Sequence, residues 1–304
     1  MKKIDKILVG LDLTKMDKSV LSYVKFINET QKPSVIDFVN IHQHVDIPDE
    51  LAKDFPELAK SIDDKYLEKL VAECNDFNIQ GAELNYEAFE GAPLTSMLTK
   101  AHKGKYDLVV IGRKFKNSAS HGEVQKMLAR KSGSSVLLVP ETFTARIKRI
   151  LFPTDFSKHS EFSLDVAILI AKNTGASIEL QNIVSVPTGY SSTGKSFEEF
   201  AEIMTGHAEK AAAKFTAKCE ENGITASTSF PVKDDEDDSH FILEAARKNN
   251  ADLVIVGSKG RTDLAAFFLG STTEDLINTD LKRPLLIVKD DTKNFDFWDA
   301  LKNI

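Results

Sequence analysis

The chain has 304 residues, 42% hydrophobic and 28% charged, which suits two globular domains of ordinary composition. A formal net charge of −7 argues against the basic footprint of a nucleic-acid-binding protein. No run approaches the roughly 18 apolar residues of a membrane span, and two cysteines, Cys74 and Cys219, make neither a disulfide framework nor a metal motif. The first residues, MKKIDKILVGLDLT, hold only a short apolar run that Asp12 ends, too short for a signal-peptide core, so a cytoplasmic protein is expected.

In chain order, KILVGLD (6–12) reads as a first strand, YDLVVIG (106–112) as a fourth and SSVLLVP (134–140) as a fifth. ETFTARIK (141–148) reads as a linker, after which the pattern returns. The strands of the second half are RILFPTD (149–155), SIELQNIV (177–184), ITASTSFPV (224–232), ADLVIVG (251–257) and PLLIVK (284–289). Between them lie SEFSLDVAILIAKNTG, FEEFAEIMTGHAEKAAAKFTAKCEENG, HFILEAARKNN and TTEDLINTD, all with helical periodicity. Gly175 and Gly223 fall where helix C-caps belong, and Ser239 is expected to cap the helix near His240. The tail at 291–304, with Phe295, Phe297, Trp298 and Leu301, reads as a short amphipathic helix.

The halves share a register. Asp107 and Asp252, Cys74 and Cys219, Leu98 and Leu243, and Ala101 and Ala246 are each 145 residues apart; Asp12 and Asp155 are 143 apart. A common offset through whole domains points to duplication of one unit. Short β-branched strands alternating with helices imply a buried parallel sheet with right-handed crossovers. The expected fold is α/β, two tandem doubly wound domains at 1–140 and 147–290, each with a five-stranded parallel sheet.

Ligands of such sheets bind beyond the carboxyl ends of the strands, where strand order reverses. There the second half carries GSKGRTDLAAFFLGSTTEDLI: Gly257, two residues, Gly260, nine residues, then Gly270, Ser271 and Thr272. Gly257 and Gly260 can take positive φ and bring N–H groups close to an anion. Gly270-Ser271-Thr272 precedes a helical run, so unpaired N–H groups and the positive dipole end would face a phosphate. Lys259 and Arg261 add charge or simply stay solvated.

With this spacing the second half resembles the ATP-binding class of the universal stress protein family, whose fingerprint is Gly-x2-Gly-x9-Gly-Ser/Thr after the fourth strand. PTDFS (153–157) also resembles the family. The resemblance implies a Rossmann-like, adenine nucleotide alpha hydrolase-like fold, with Pro153, Thr154 and Asp155 against the nucleoside. The Asp155 carboxylate would lie near ribose or base, and Ile183 would offer backbone contacts to adenine. It implies ATP or ADP as ligand, with Mg2+ by charge logic, an unidentified protein partner, and an intramolecular pseudo-dimer in which 134–140 faces 283–289, open to further dimerisation.

The first half departs from the pattern. Gly112 remains, but Phe115 replaces the second glycine, Gly122 comes ten residues after Gly112, and Glu123 replaces the serine. That half is expected not to bind ATP. Elsewhere, GYSSTGKS (189–196) fits the Walker A pattern, yet its Gly/Ser/Thr richness favours a chance match in a flexible loop, with Lys195 as one candidate to close over phosphates. His42 and His44 share a face if extended, too few ligands for a metal. The acidic run DDEDD (234–238) reads as a solvated loop. The reading that follows is an ATP-binding stress-response regulator. A slow ATPase or self-phosphorylating enzyme with no identifiable catalytic residue, and a nucleotide-independent interaction protein, stay open beside it.

Overall fold

The structure, a computed structural model, describes residues 3–43, 62–114, 121–141, 144–233, 236–258, 269–279 and 281–289, with the side chains of 121 and 122 left aside. Two units divide it, one over Lys3–Ala145 and one from Arg146 onward. The tail at 291–304 and His44 lie outside the described residues, as do Lys259, Gly260, Arg261 and Phe115.

The first unit runs β1 (Lys6–Leu11), α1 (Asp17–Gln31), β2 (Val35–His42), α2 (Ile62–Asn75), β3 (Glu83–Glu90), α3 (Pro93–Gly104), β4 (Leu108–Arg113), α4 (His121–Lys131) and β5 (Ser135–Pro140). Its strands pair in parallel in the order β3-β2-β1-β4-β5. The second unit runs β6 (Arg149–Pro153), α5 (Lys158–Thr174), β7 (Ser177–Gln181), α6 (Phe197–Glu221), β8 (Ala226–Ser229), α7 (Asp238–Lys248), β9 (Leu253–Gly257), α8 (Ser271–Asn278) and β10 (Leu285–Val288). It repeats the parallel order as β8-β7-β6-β9-β10. Both are doubly wound α/β sheets, as the alternation of strand and helix patterns implies.

Each central strand is covered on both faces, so Ile150, Leu151 and Phe152 of β6 and Leu253–Val256 of β9 are buried. Leu164, Ala167, Ile168 and Ala171 of α5, spaced three and four apart, press one apolar stripe onto that sheet. Cys74 and Cys219 are both buried, and burial raises their thiols to about 12 and about 11, so they act as small apolar residues.

The duplication extends to backbone detail. Leu13 (φ 56°) and Phe156 (φ 53°) lie in the left-handed region 143 residues apart, as do Lys32 (φ 51°) and Gly175 (φ 71°) at the ends of α1 and α5. Asp107 Oδ2 accepts from the backbone N–H groups of Asp5 and Lys6 at 3.0 and 2.9 Å. Asp252 Oδ2 does the same for Lys148 and Arg149 at 2.9 and 3.0 Å. In each unit a carboxylate before the fourth strand thus holds the start of the first.

Three expectations change. Ser239 does not cap α7, which starts two residues before His240, at Asp238, with Asp237 at its N-cap and no side-chain cap bond. Residues 146–148 are not slack linker, because Ile147 is buried and Arg146 Nε and the Lys148 N–H donate to Asp252. The 189–196 segment is a shaped turn and no open loop. Tyr190–Thr193 form a 3-10 turn closed by Gly194 at φ 75°. Ser196 then caps α6 in a reciprocal capping box with Glu199.

Candidate functional site

The strand order of the second unit reverses between β6 and β9, both of which connect onward from their carboxyl ends. Two chain ends emerge there side by side: Pro153-Thr154-Asp155 from β6 and Gly257-Ser258 from β9. A crevice opens at such a point because successive crossovers depart to opposite sides.

Hydrogen bonds join the loops around this crevice. Thr154 N donates to Gln181 O at 2.8 Å, and Asn182 Nδ2 donates back to Thr154 O at 2.7 Å, which fixes the end of β6 against β7. Asn182 N donates to Ser229 O and Val184 N to Pro231 O, while Val184 O accepts from Lys233 N. Bonds toward β8 at 182 and 184 leave the backbone N–H and C=O of Ile183 turned the other way, toward the β6 side. Ile183 itself is half-buried.

Lys233 Nζ donates to Asp238 Oδ1 at 2.8 Å, and Thr272 Oγ1 donates to Asp238 Oδ2 at 3.1 Å. The Asp238 bond raises the Lys233 ammonium above its ordinary range and keeps it charged. Thr273 Oγ1 donates to Gly257 O at 3.1 Å and Gly270 N to Ser258 O at 3.1 Å. Gly257 and Ser258 at the end of β9 are therefore tied to Gly270 and Thr273 at the start of α8.

Gly270 is the N-cap of α8 with no side-chain cap, and the first bond along the helix runs from Glu274 N to Gly270 O. Helix geometry gives the N–H groups of Ser271, Thr272 and Thr273 no partner inside the helix. Ser271 is exposed, Gly270 and Thr272 are half-buried, and a Cβ built on Gly270 would meet none of the described residues within 4 Å. This end is donor-rich and positive, suited to an anion. Gly257 is the last residue of β9, where the sequence pattern ends the strand, and it is not among the glycines at positive φ. Gly260 falls outside the described residues.

Asp155, half-buried, receives Ser157 N at 3.0 Å and Ser160 Oγ at 2.6 Å on one oxygen, Oδ1. Thr154 is buried, and its Oγ1 accepts from Phe156 N at 3.0 Å. The structure thus brings Pro153, Thr154 and Asp155 to the same end of the sheet as Ile183, Gly257, Gly270, Ser271 and Thr272. It adds Asn182, Lys233 and Ser160, which motif reading passed over, and Asp238, which the sequence placed in a solvated acidic loop but which opens α7 and accepts from Lys233 and Thr272. Ser160 had a signal, because it lies 143 residues after Asp17, in the register of the repeat.

The first unit uses the same loop differently. Asp12 binds Lys114 Nζ at 2.5 Å and Thr14 Oγ1 at 2.7 Å. Burial opposes its charge, but these bonds outweigh burial and hold the carboxyl below its usual range. Asp17, at the place of Ser160, is buried and accepts from the N–H groups of Asp12 and Leu13. Burial, with the Asp12 charge adding to it, pushes its carboxyl up to about 7. Glu123 stands in the first turn of α4, where a phosphate would meet a carboxylate. His42, a possible ligand by sequence, instead stacks on Tyr66 at 4.3 Å with Nε2 2.7 Å from Asp63 Oδ1.

Among the described residues no helix is long and apolar enough to cross a membrane, and no group of three His, Cys, Asp or Glu side chains could hold a metal ion. The sequence profile of the universal stress protein family matches residues 146–289. Universal stress protein MJ0531 of Methanocaldococcus jannaschii is 32% identical over 148 residues, covering 47% of this chain and 82% of that protein. Universal stress protein MJ0577 of the same organism is 29% identical over 157 residues, covering 47% of this chain and 94% of its own. A universal stress protein crystal structure from Archaeoglobus fulgidus DSM 4304 superposes with a TM-score of 0.65 at 17% identity, over 96% of this chain and 98% of that one. The functionally unknown protein PA1789 of Pseudomonas aeruginosa PAO1 also reaches 0.65, at 16% identity, over 99% and 96%. At such identities the two structures speak for the fold alone.

Proposed function

Since the chain belongs to the universal stress protein family, we propose that its second domain holds one adenine nucleotide, ATP or ADP with Mg2+, as a nucleotide-dependent stress-response regulator. The observation that carries this reading is the Gly257-x2-Gly260-x9-Gly270-Ser271 spacing joined to an uncapped helix start at the switch point. Phosphates would take the N–H groups of Ser271 and Thr272 and their hydroxyls, helped by the α8 dipole. The nucleoside would lie over Pro153, Thr154 and Asp155, with adenine on the backbone of Ile183.

The donor set beside α8 fits a hard cation, because the Thr272 hydroxyl and the Asp238 carboxylate are oxygen ligands of the kind Mg2+ takes with substrate phosphates. When bound, the ion would supply charge neutralisation between the phosphates and Asp238. Among the described residues no side chain at the crevice stands out as a general base, so the reading is a holding site and not one built for turnover. The first domain would not hold nucleotide, its aspartate already being paired with Lys114.

The test is the nucleotide content of freshly purified protein after denaturation, beside a Gly260→Val, Ser271→Glu variant. One adenine nucleotide per chain, lost in the variant, is expected, and its ATP-to-ADP ratio reports on hydrolysis. No nucleotide, together with no binding of added Mg-ATP, overturns the proposal and leaves an interaction protein on the same fold.

A further inference from the structure

The loop after the first strand of each unit has one backbone conformation and two different chemistries, and the difference falls on one position. In both units the residue after the aspartate sits at positive φ, 56° at Leu13 and 53° at Phe156, so the two loops turn alike. In both, the residue two past the aspartate donates to it, Thr14 through its Oγ1 to Asp12 and Ser157 through its backbone N–H to Asp155. Three residues further on, the units part. Ser160 is a hydroxyl donor, 2.6 Å from Asp155 Oδ1, whereas Asp17 is a second carboxylate.

We infer that Ser160 is a positioning residue that fixes the Asp155 carboxylate to accept hydrogen bonds from the ribose hydroxyls of the bound nucleotide; this rests on the function proposed above. An aspartate χ2 torsion is broad, so a lone carboxylate samples many orientations. Two donors on Oδ1, one from backbone and one from a 92% buried serine, set the plane of the group. Ser160 is held in turn, since its N–H donates to Ser157 Oγ in the first turn of α5 and its Oγ lies 3.3 Å from Ser157 Oγ. A vicinal diol needs acceptors in a fixed direction, and prearranging them removes an ordering cost from binding.

The first unit is the internal control. With Asp17 in place of the serine, the donor becomes an acceptor, and its oxygens take the N–H groups of Asp12 and Leu13 instead. Asp12, without that donor, turns to Lys114 and Thr14. A single exchange of hydroxyl for carboxylate therefore accompanies the difference between an aspartate that accepts from a serine hydroxyl and one that accepts from a lysine ammonium.

The plain alternative is that Ser160 and Asp155 merely cap α5. Titration calorimetry of the full chain with ATP and with 2′,3′-dideoxy-ATP separates the two. The wild type is expected to prefer ATP. Ser160→Ala should lose about tenfold in ATP affinity, the worth of one charge-assisted hydrogen bond, and nothing for the dideoxy analogue. Ser160→Thr should restore the preference, and Ser160→Ala should cost nothing further for ATP in an Asp155→Ala background. Equal losses for both nucleotides, a loss that persists without Asp155, or a wild type indifferent to the ribose hydroxyls each overturn the inference while leaving nucleotide binding intact. A wild type that binds neither nucleotide overturns the functional reading and the inference together.

Discussion

Replacing Asp252 by alanine tests whether one buried carboxylate anchors the second domain. Its Oδ2 accepts the Lys148 and Arg149 N–H groups at 2.9 and 3.0 Å, and Oδ1 accepts from Arg146 Nε at 3.2 Å. The Arg146 side chain is 58% exposed and resolvates when its partner goes, so it adds little. Each backbone donor to a charged acceptor is worth about 1.5–3 kcal/mol, and relief of the carboxylate's own desolvation offsets part of the sum. The expected loss is about 2–4 kcal/mol, a fall in Tm of roughly 5–15 °C for a domain of this size. Asp107→Ala removes the same pair of bonds in the first domain, at 3.0 and 2.9 Å. Asp107 is only half-buried, so water replaces part of what is lost, and about 1–2 kcal/mol is expected. Urea unfolding of the full-length variants measures both. Because Asp252 lies before β9, at the end opposite the crevice, ATP affinity of the folded variant should not change. An Asp252→Ala cost below about 0.5 kcal/mol, or a larger cost at Asp107, refutes the argument from burial.

Further outcomes follow from the same geometry. Asp17 has a folded-state pKa raised to about 7 against an unfolded value near 3.9, so the folded state binds the extra proton and stability from this group falls as pH rises from about 4 to about 7. Asp17→Asn should therefore gain on wild type by up to about 4 kcal/mol across that window and no more above it; a pH-independent difference in unfolding free energy counts against the buried charge. Ser196→Ala should cost about 1 kcal/mol of stability through the lost α6 cap. Neither it nor Lys195→Ala should alter ATP affinity, and a large loss of binding would revive the Walker-type reading.

How much of this was legible beforehand depends on range. The strand and helix alternation, the repeat and the Gly-x2-Gly-x9-Gly-Ser spacing are local patterns, and the backbone obeys them: β6 through β10 fall within the predicted runs, and Gly175 caps its helix at positive φ. Local pattern also overlapped at 189–196, because Ser196 both completes a Walker-type run and opens a capping box. The Ser-x-x-Glu of Ser196 and Glu199 was itself a local capping signature, which the Walker-type match obscured. Ser239 failed as a cap because α7 begins at Asp238, whose carboxylate is held by Lys233 and Thr272.

The sequence by itself determined the class of sheet, the doubling of the unit and the place of the glycine fingerprint, because hydrophobic period and glycine spacing act over a few residues. The tertiary structure alone decided which polar groups meet. Asp155 with Ser160 is near in sequence yet readable only against the Asp12–Lys114 pair, and Thr272 with Asp238 spans 34 residues. Such pairings depend on which loops the crossovers deliver to one end of the sheet, and on which carboxylates lose water there. Periodicity does not encode either.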